Sequence, residues 1–223
     1  MKTAFLKHIL LQWLSWNNLK NMDFPCFLVA LPQMQDEFFS QAVVLLSHQD
    51  EDGAFGVAIN KPIEAPKGAD GEPTQVVAEL RDSNSDKVYE IKENLFKGGP
   101  ADEGSIFVIH DDENLSEGGT RLGDSLFLST HPTVIQTLLE MGPRGPKRRY
   151  FIGCSAWEKG QLESEIRAGS WVMLPFDERF AFEDVDDNPN ESWTIRLWRK
   201  VLLAGGLDPL TLVSQAKSDS GYN

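Results

Sequence analysis

The sequence predicts an α+β fold, on three observations. Short apolar and β-branched runs, bounded by Pro32, Gly53 and Pro62, follow one another closely enough to pair as hairpins. Apolar stripes at helical spacing are few and stand apart from one another, after His131, after Gly153 and before Gly205. Strands and helices do not alternate regularly, which argues against a doubly wound parallel sheet.

Taken in order, Cys26 to Leu31, Ala42 to Ser47 and Phe55 to Ile59 read as successive strands, and the Asp50-to-Gly53 turn makes the second and third an antiparallel pair. Residues 63–73, rich in Pro, Gly and charge, read as a surface loop. Thr74 to Leu80 offers a short helix with Val76, Val77 and Leu80 inward, and residues 81–92 are polar without a clear period. Leu95-Phe96, Ile106 to Ile109 and Leu126 to Leu128 are strands. His131-Pro132 opens a helix with Val134, Ile135, Leu138 and Leu139 as its apolar stripe, and Gly142 ends it. Tyr150-Phe151-Ile152 is a buried strand that stops at Gly153. Ser155 and Glu158 then have the spacing of a capping box, starting a helix whose core stripe is Leu162 and Ile166, with Trp157 packed beside it. Trp171 to Leu174 returns as a strand. Glu191 to Ala204 is a helix with Trp193, Leu197, Trp198 and Val201 on one face, terminated by Gly205-Gly206.

The expected organisation is one domain over residues 23–217, with a frayed tail at 218–223 and an amino-terminal extension at 1–22. In that extension Lys2 and Lys7 flank an apolar stretch, but Gln12 interrupts it and Trp16-Asn17-Asn18 stands where a signal peptide needs small residues. The stretch is too short to span a bilayer. Phe5, Ile9, Trp13 and Trp16 fall at helical spacing, so the extension reads as an amphipathic helix docked on the domain or, less favoured, touching a membrane surface, or else as a spurious extension with Met22 as the start.

Hydrophobic residues at 41% and charged ones at 25% are ordinary for a globular chain of 223 residues. A core of this size needs neither disulfides nor metals. A net charge of −13 argues against binding phosphate backbones, which depends on releasing counterions with Lys and Arg, and no helix-turn-helix with a basic face occurs. The one basic cluster, Arg144, Lys147, Arg148 and Arg149, reads as a solvated loop. Acidic runs at 50–52, 111–113 and 183–187 lack the spacing of a calcium loop. Cys26 and Cys154 form no Cys-x-x-Cys, and His8, His48, His110 and His131 show no metal spacing, so neither metal nor cofactor is expected and the compartment reads as a reducing cytosol.

Residues that could carry chemistry are few. Cys154, at the start of the predicted helix, could be a thiolate favoured by the helix dipole; the competing reading, preferred here, is a small buried side chain. Glu163 and Glu165 lie two apart on a helix and point away from each other, so they cannot share a proton across one site. Glu158 and Glu165 share a face. Trp157 reads as an anchor for the turn. No Gly-rich phosphate loop of the Walker or Rossmann kind is present.

The stretch Gly153-Cys154-Ser155-Ala156-Trp157-Glu158-Lys159-Gly160-Gln161-Leu162-Glu163-Ser164-Glu165-Ile166, followed by Gly169-Ser170-Trp171, resembles the signature of the AlgH/YqgE family. Two more blocks agree: Leu28 to Pro32 with Asp36, Phe38, Phe39 and His48 through Pro62, and Gly98-Gly99-Pro100 with the strand to His110. The resemblance covers roughly residues 24–216, and three ordered blocks make it specific. It departs at Cys154, where the family usually has an aromatic residue. It implies a strongly bent mixed or antiparallel sheet forming a pseudo-barrel with short helices around it, and brings no established reaction. Members are often labelled transcriptional regulators, on genetic grounds.

In such a sheet the turns Asn60-Lys61-Pro62 and Gly98-Gly99-Pro100 would approach Gly153, Cys154, Ser155 and Trp157, and their amides with Lys61 would form a small anion-binding concavity. Those residues, with Gln161 and Glu165, are the candidate ligand or partner site. The expected function is non-catalytic binding of a protein partner. The first alternative is a sensor of a small anionic or nucleotide-type ligand, and the second a hydrolase or redox enzyme using Cys154 with His48 or His110.

Overall fold

A computed structural model describes residues 23–63, 77–81, 88–92, 95–185 and 191–220. Strands β1 (Cys26–Ala30), β2 (Val43–Gln49) and β3 (Gly53–Ala58) form an antiparallel meander. The Asp50 carboxylate accepts from the Asp52 and Gly53 amides at 2.9 and 3.2 Å to close the β2–β3 turn. Next come β4 (Ala78–Arg81) and β5 (Val88–Ile91), a separate two-stranded ribbon, then β6 (Leu95–Lys97), β7 (Ala101–His110), β8 (Thr120–Leu122) and β9 (Leu126–Ser129). Helix α1 (Pro132–Glu140) leads to β10 (Arg148–Glu158), α2 (Gln161–Arg167) and β11 (Trp171–Pro175), and α3 (Trp193–Ala204) and α4 (Pro209–Ser220) complete the order.

The main sheet has nine strands in the order β11-β1-β2-β3-β10-β7-β9-β8, with β6 alongside β10. Strand β10 serves two halves. Its residues 148–152 pair with β7 on one side, and 150–152 with β6 on the other. Residues Ser155 to Glu158 pair with β3. Between the two stretches Gly153 takes the left-handed φ of +69° at a shift of register, a bulge that turns the strand from one half-sheet into the other. Among the described pairings the end strands β11 and β8 do not meet, so the α+β class and the bent sheet hold while closure comes from packing.

Packing explains why the strands are apolar throughout. In β1, Phe27 and Val29 face the core enclosed by the two halves, whereas Cys26, Leu28 and Ala30 face an outer layer under α2. In β2, Val43 and Leu45 separate from Val44 and Leu46 in the same way. The central core gathers Phe96, Phe107 and Phe151 with Trp193, Leu197, Trp198 and Val201 of α3, the face read from the sequence. A third layer puts Val134, Ile135 and Leu138 of α1 on Val108 and Tyr150.

Several expectations are corrected. Tyr150-Phe151-Ile152 does not end at Gly153: the strand continues to Glu158 because the bulge lets it cross between halves. Ser155 and Glu158 therefore cap no helix; α2 starts after Gly160, and the Ser155 hydroxyl donates instead to the Gly98 carbonyl at 2.9 Å. The predicted helix over Thr74 to Leu80 is overturned at Ala78–Arg81, a strand held by pairing with Val88–Ile91; Thr74 to Val76 lie outside the described residues. Helix α4, for which the sequence shows no clear stripe, spans Pro209–Ser220. Its start is set by Pro209 and by Asp208, which accepts from the Leu210 amide at 3.0 Å. Residues 1–22 and most of the 63–73 loop lie outside the described residues.

Arg149 is also no loop residue. It is 4% exposed, with its guanidinium 4.3 Å from the centroid of Phe96 and 5.4 Å from that of Trp193, and it donates to the Glu183 carbonyl at 2.6 Å. Burial lowers its pKa to about 10, with Asp184 and Glu183 opposing. The two rings and the carbonyl replace the water it has lost.

His110, at the end of β7, is fully buried and stacks on Phe127 at 5.6 Å. Burial pushes its pKa below the ordinary 6.5, against the opposing charges of Asp112 and Asp111. The unfolded chain therefore takes up the proton first as pH falls. Stability should be full above about pH 6.5 and decline below it until the folded site also protonates. Urea midpoints between pH 5 and 7.5 should show that decline, and His110→Phe should flatten it.

Candidate functional site

The loop from Leu31 to Gln41 is built from local bonds. Asp36 accepts from the Phe38 and Phe39 amides at 2.9 and 2.8 Å, fixing a turn that drives both rings inward. Phe39 meets Trp171 at 5.3 Å and Trp157 at 6.0 Å. Gln41 closes the loop in a left-handed conformation, φ 56°, which a side chain adopts only when its surroundings hold it there.

Asn60 and Lys61 do the holding. The Asn60 amide nitrogen donates to the carbonyls of Gln41 (2.8 Å) and Thr194 (3.0 Å), and its oxygen accepts from the Val43 amide at 2.8 Å. Thr194 returns a bond from its hydroxyl to the Asn60 carbonyl at 2.8 Å. Asn60 is thus a buried rivet joining loop, sheet and α3. The Lys61 ammonium donates to the Ser40 carbonyl at 2.8 Å and lies 5.7 Å from the Phe38 ring centroid. Burial lowers its pKa, with Asp36 opposing.

Between this loop and helices α3 and α4 lies a cleft of about 310 Å³. Leu31, Pro32, Trp198, Val213 and Ala216 line it with apolar surface, and Gln33, Gln35, Ser40 and Gln41 with neutral polar groups. Among the described residues none that lines it is charged, in a chain of net charge −13. Trp198 is fixed by its indole N–H, which donates to the Ala30 carbonyl at 2.7 Å. Near the helix hairpin, Leu203 and Leu210 are 59% and 67% exposed.

The signature residues lie elsewhere, on the outer layer under α2. Glu165 uses one carboxylate oxygen for two indoles, accepting from Trp157 at 3.1 Å and Trp171 at 2.7 Å. Its other oxygen accepts from Gln161 at 2.9 Å, and the Gln161 carbonyl accepts from the Glu158 amide at 3.0 Å. The two tryptophans meet edge to face at 5.9 Å, both buried. Glu163 points away and accepts from Gln49 at 2.6 Å. Trp157, Gln161 and Glu165 are an anchoring lattice for the end of β10, the role expected of Trp157.

The three turns do come together, through their own backbone. Gly98 accepts from the Ala58 amide at 2.7 Å and donates to Ile152 at 2.9 Å, and the Lys97 amide donates to the Lys61 carbonyl at 2.8 Å. Gly99 lies so close to Cys154 that a Cβ there would stand 2.0 Å from the Cys154 carbonyl oxygen. Pro62 bridges to Phe96, and Pro100 is exposed beside them. The Gly98 and Lys97 amides and the Lys61 ammonium thus donate to carbonyls of the protein, and the juxtaposition forms a corner of the sheet.

Cys154 sits within β10, seven residues before α2, and not at a helix start. It is 5% exposed, and burial with the nearby Asp102 pushes its thiol upward, away from the thiolate. His110 pairs with Arg148, six residues along β10 from Cys154, or about 20 Å at ~3.3 Å per residue. His48 stacks on Phe55 at 5.6 Å, and its Nδ1 lies 3.1 Å from the Ser47 hydroxyl. Among the described residues no hydrogen bond joins either imidazole to the Cys154 thiol. Among the described residues no His, Cys, Asp and Glu side chains group as metal ligands.

Sequence reasoning selected Asn60 and Lys61 but missed the cleft they support. Gln41, Trp198 and Val213 come from three distant segments, and no local pattern marks them. The nearest signal was Trp198 on the apolar face of α3, which reads equally as core.

Residues 27–209 match the family model described as AlgH-like. A UPF0301 protein of Stenotrophomonas maltophilia is 34% identical over 157 residues, covering 70% of this chain and 79% of the relative. A UPF0301 protein of Neisseria meningitidis is 32% identical over 193 residues, covering 85% and 95%. The solution structure of the AlgH protein from Pseudomonas aeruginosa aligns with a TM-score of 0.52 at 27% identity, over 71% of this chain and 79% of that one. A crystal structure from Corynebacterium diphtheriae, 20% identical with a TM-score of 0.51 over 86% and 90% of the chains, shares the fold. Among the described residues no helix is long and apolar enough to cross a membrane.

Proposed function

The chain belongs to the AlgH-like family, and from that premise we propose that it acts by binding a protein partner at the cleft between the 31–41 loop and helices α3 and α4, without chemical turnover. The single observation that carries this reading is the cleft itself. Its lining pairs apolar surface with neutral amides, a composition suited to an uncharged peptide segment and poorly suited to an anion, which needs cations or free N–H donors. The strained Gln41 supports it, because backbone strain is retained where the surroundings hold a binding surface in shape. Leu203 and Leu210 are exposed apolar side chains on the same two helices, α3 and α4. The two free, buried cysteines fit a partner met in the reducing cytosol. Regulation, the label attached to the family, would follow from occupancy of the cleft.

Photocrosslinking in the native host tests this. A photoreactive phenylalanine analogue replacing Gln35, in the cleft lining, should yield one discrete protein adduct. The same analogue replacing the exposed Asp111 should not. Equal labelling from both positions, or none from Gln35, would count against the proposal.

A further inference from the structure

The cleft suits an uncharged peptide segment, and this chain contains one. Between His8 and Lys20 the stretch from Ile9 to Leu19 has no charged side chain, and it mixes leucines and the indoles of Trp13 and Trp16 with Gln12, Ser15, Asn17 and Asn18. The cleft lining has the same character, with Leu31, Trp198 and Val213 beside Gln35, Ser40 and Gln41. At the helical period Ile9, Trp13 and Trp16 fall on one face.

Reach and charge favour the same placement. Leu31 lies eight positions after Asp23, at most about 29 Å away, and the ten positions from Trp13 to Asp23 can span about 33 Å. A Cβ on Gly205 would stand 2.6 Å from Leu174, whose register partner is Phe27, so the α3–α4 turn lies beside the start of β1. From that turn α4 leads to Val213 and Ala216 in the cleft, a path along the surface from the start of β1. Lys7 and Lys20 bracket the uncharged stretch, and residues 1–22 contain no acid. Asp36 and Glu37 are exposed on the cleft's own loop, so opposite charges meet at the rim while neutral groups meet inside.

We infer that residues 9–19 of the same chain dock in the cleft, with Trp13 and Trp16 against its apolar wall, and that a partner must displace them to bind. The inference rests on the cleft being the partner's site and adds how access to it is controlled. Removing two indoles from water supplies the drive. A tethered segment works at an effective concentration on the order of millimolar, so modest contacts hold it and a tighter-binding partner can replace it.

The test uses purified full chain with no partner present, carrying the photoreactive phenylalanine analogue in place of Gln35. After irradiation and tryptic digestion, the main crosslink should join position 35 to the peptide from His8 to Lys20, in a yield independent of protein concentration and lost in urea. The analogue at Asp111 should not give it. Absence of that crosslink overturns the inference, and so does its appearance only in covalent dimers, which would mark docking by a second copy. Trp13→Asp should lower the yield severalfold and Trp13→Phe should keep it; equal yields from the two variants would count against docking through the indole. In the native host Trp13→Asp should raise the partner adduct at position 35 severalfold, and an unchanged adduct overturns the competition. The two readings fail separately. An intramolecular crosslink with no adduct in the host sinks the partner reading alone, and a host adduct with no intramolecular crosslink sinks this one alone.

Discussion

Replacing Gly99 with alanine should abolish folding or remove at least about 4 kcal/mol of stability, a size reserved for a few kinds of substitution. The new Cβ would stand 2.0 Å from the Cys154 oxygen and 2.4 Å from the Ser155 nitrogen, both backbone atoms with no rotamer to yield. Relief requires moving the Gly98-Gly99 corner away from β10, which would pull apart the Gly98–Ile152 bond and the Ser155 hydroxyl bond to Gly98. A typical domain has only about 5–15 kcal/mol to lose. Gly104→Ala, in the strand β7 that follows, with no atom within 4 Å of the added carbon, is the control and should stay within about 0.5 kcal/mol of the parent. Urea denaturation followed by tryptophan fluorescence measures both.

The second large effect belongs to Glu165. Glu165→Ala leaves the indole N–H groups of the buried Trp157 and Trp171 without their acceptor. At ~1–3 kcal/mol for each of the two unsatisfied buried donors, the loss should be about 2–6 kcal/mol. Glu165→Gln keeps one oxygen for the indoles and should cost about 1 kcal/mol. If Ala and Gln prove equally mild, the carboxylate does not organise the tryptophans, and the anchoring role assigned to the signature helix fails.

Both predictions concern residues that the sequence already singled out, and they show what could be read from it. The α3 face was legible because Trp193, Leu197, Trp198 and Val201 repeat at the helical period and have one core to enter. Gln161, Glu165 and Trp157 were legible as a group because their spacing is local. Ser155 was misread because Gly153 looks like a strand end from sequence. Only the tertiary corner at Gly98 shows that a left-handed glycine can carry a strand through. Ala78 to Arg81 was misread as helix for a related reason: four residues have little preference of their own, and the partner at Val88–Ile91 decides. Helix α4 was overlooked because its apolar residues draw no clear stripe.

The cleft lay further out of reach. Gln41 is left-handed only because Asn60, nineteen positions away, grips its carbonyl. That dependence has no signature in a linear text. Lys61 was singled out as a cation for an anion; its ammonium donates to the Ser40 carbonyl, a bond across twenty-one positions that no local pattern announces.

The shared strand β10 has a last implication for how the molecule comes apart. A backbone that closes ladders on both halves leaves neither half a boundary at which to melt alone. Fragments cut within 148–158 would each keep raw sheet edges, and loss of either half would propagate through Gly153 to the other. The protein is in this sense indivisible: its smallest cooperative unit spans both sides of that glycine.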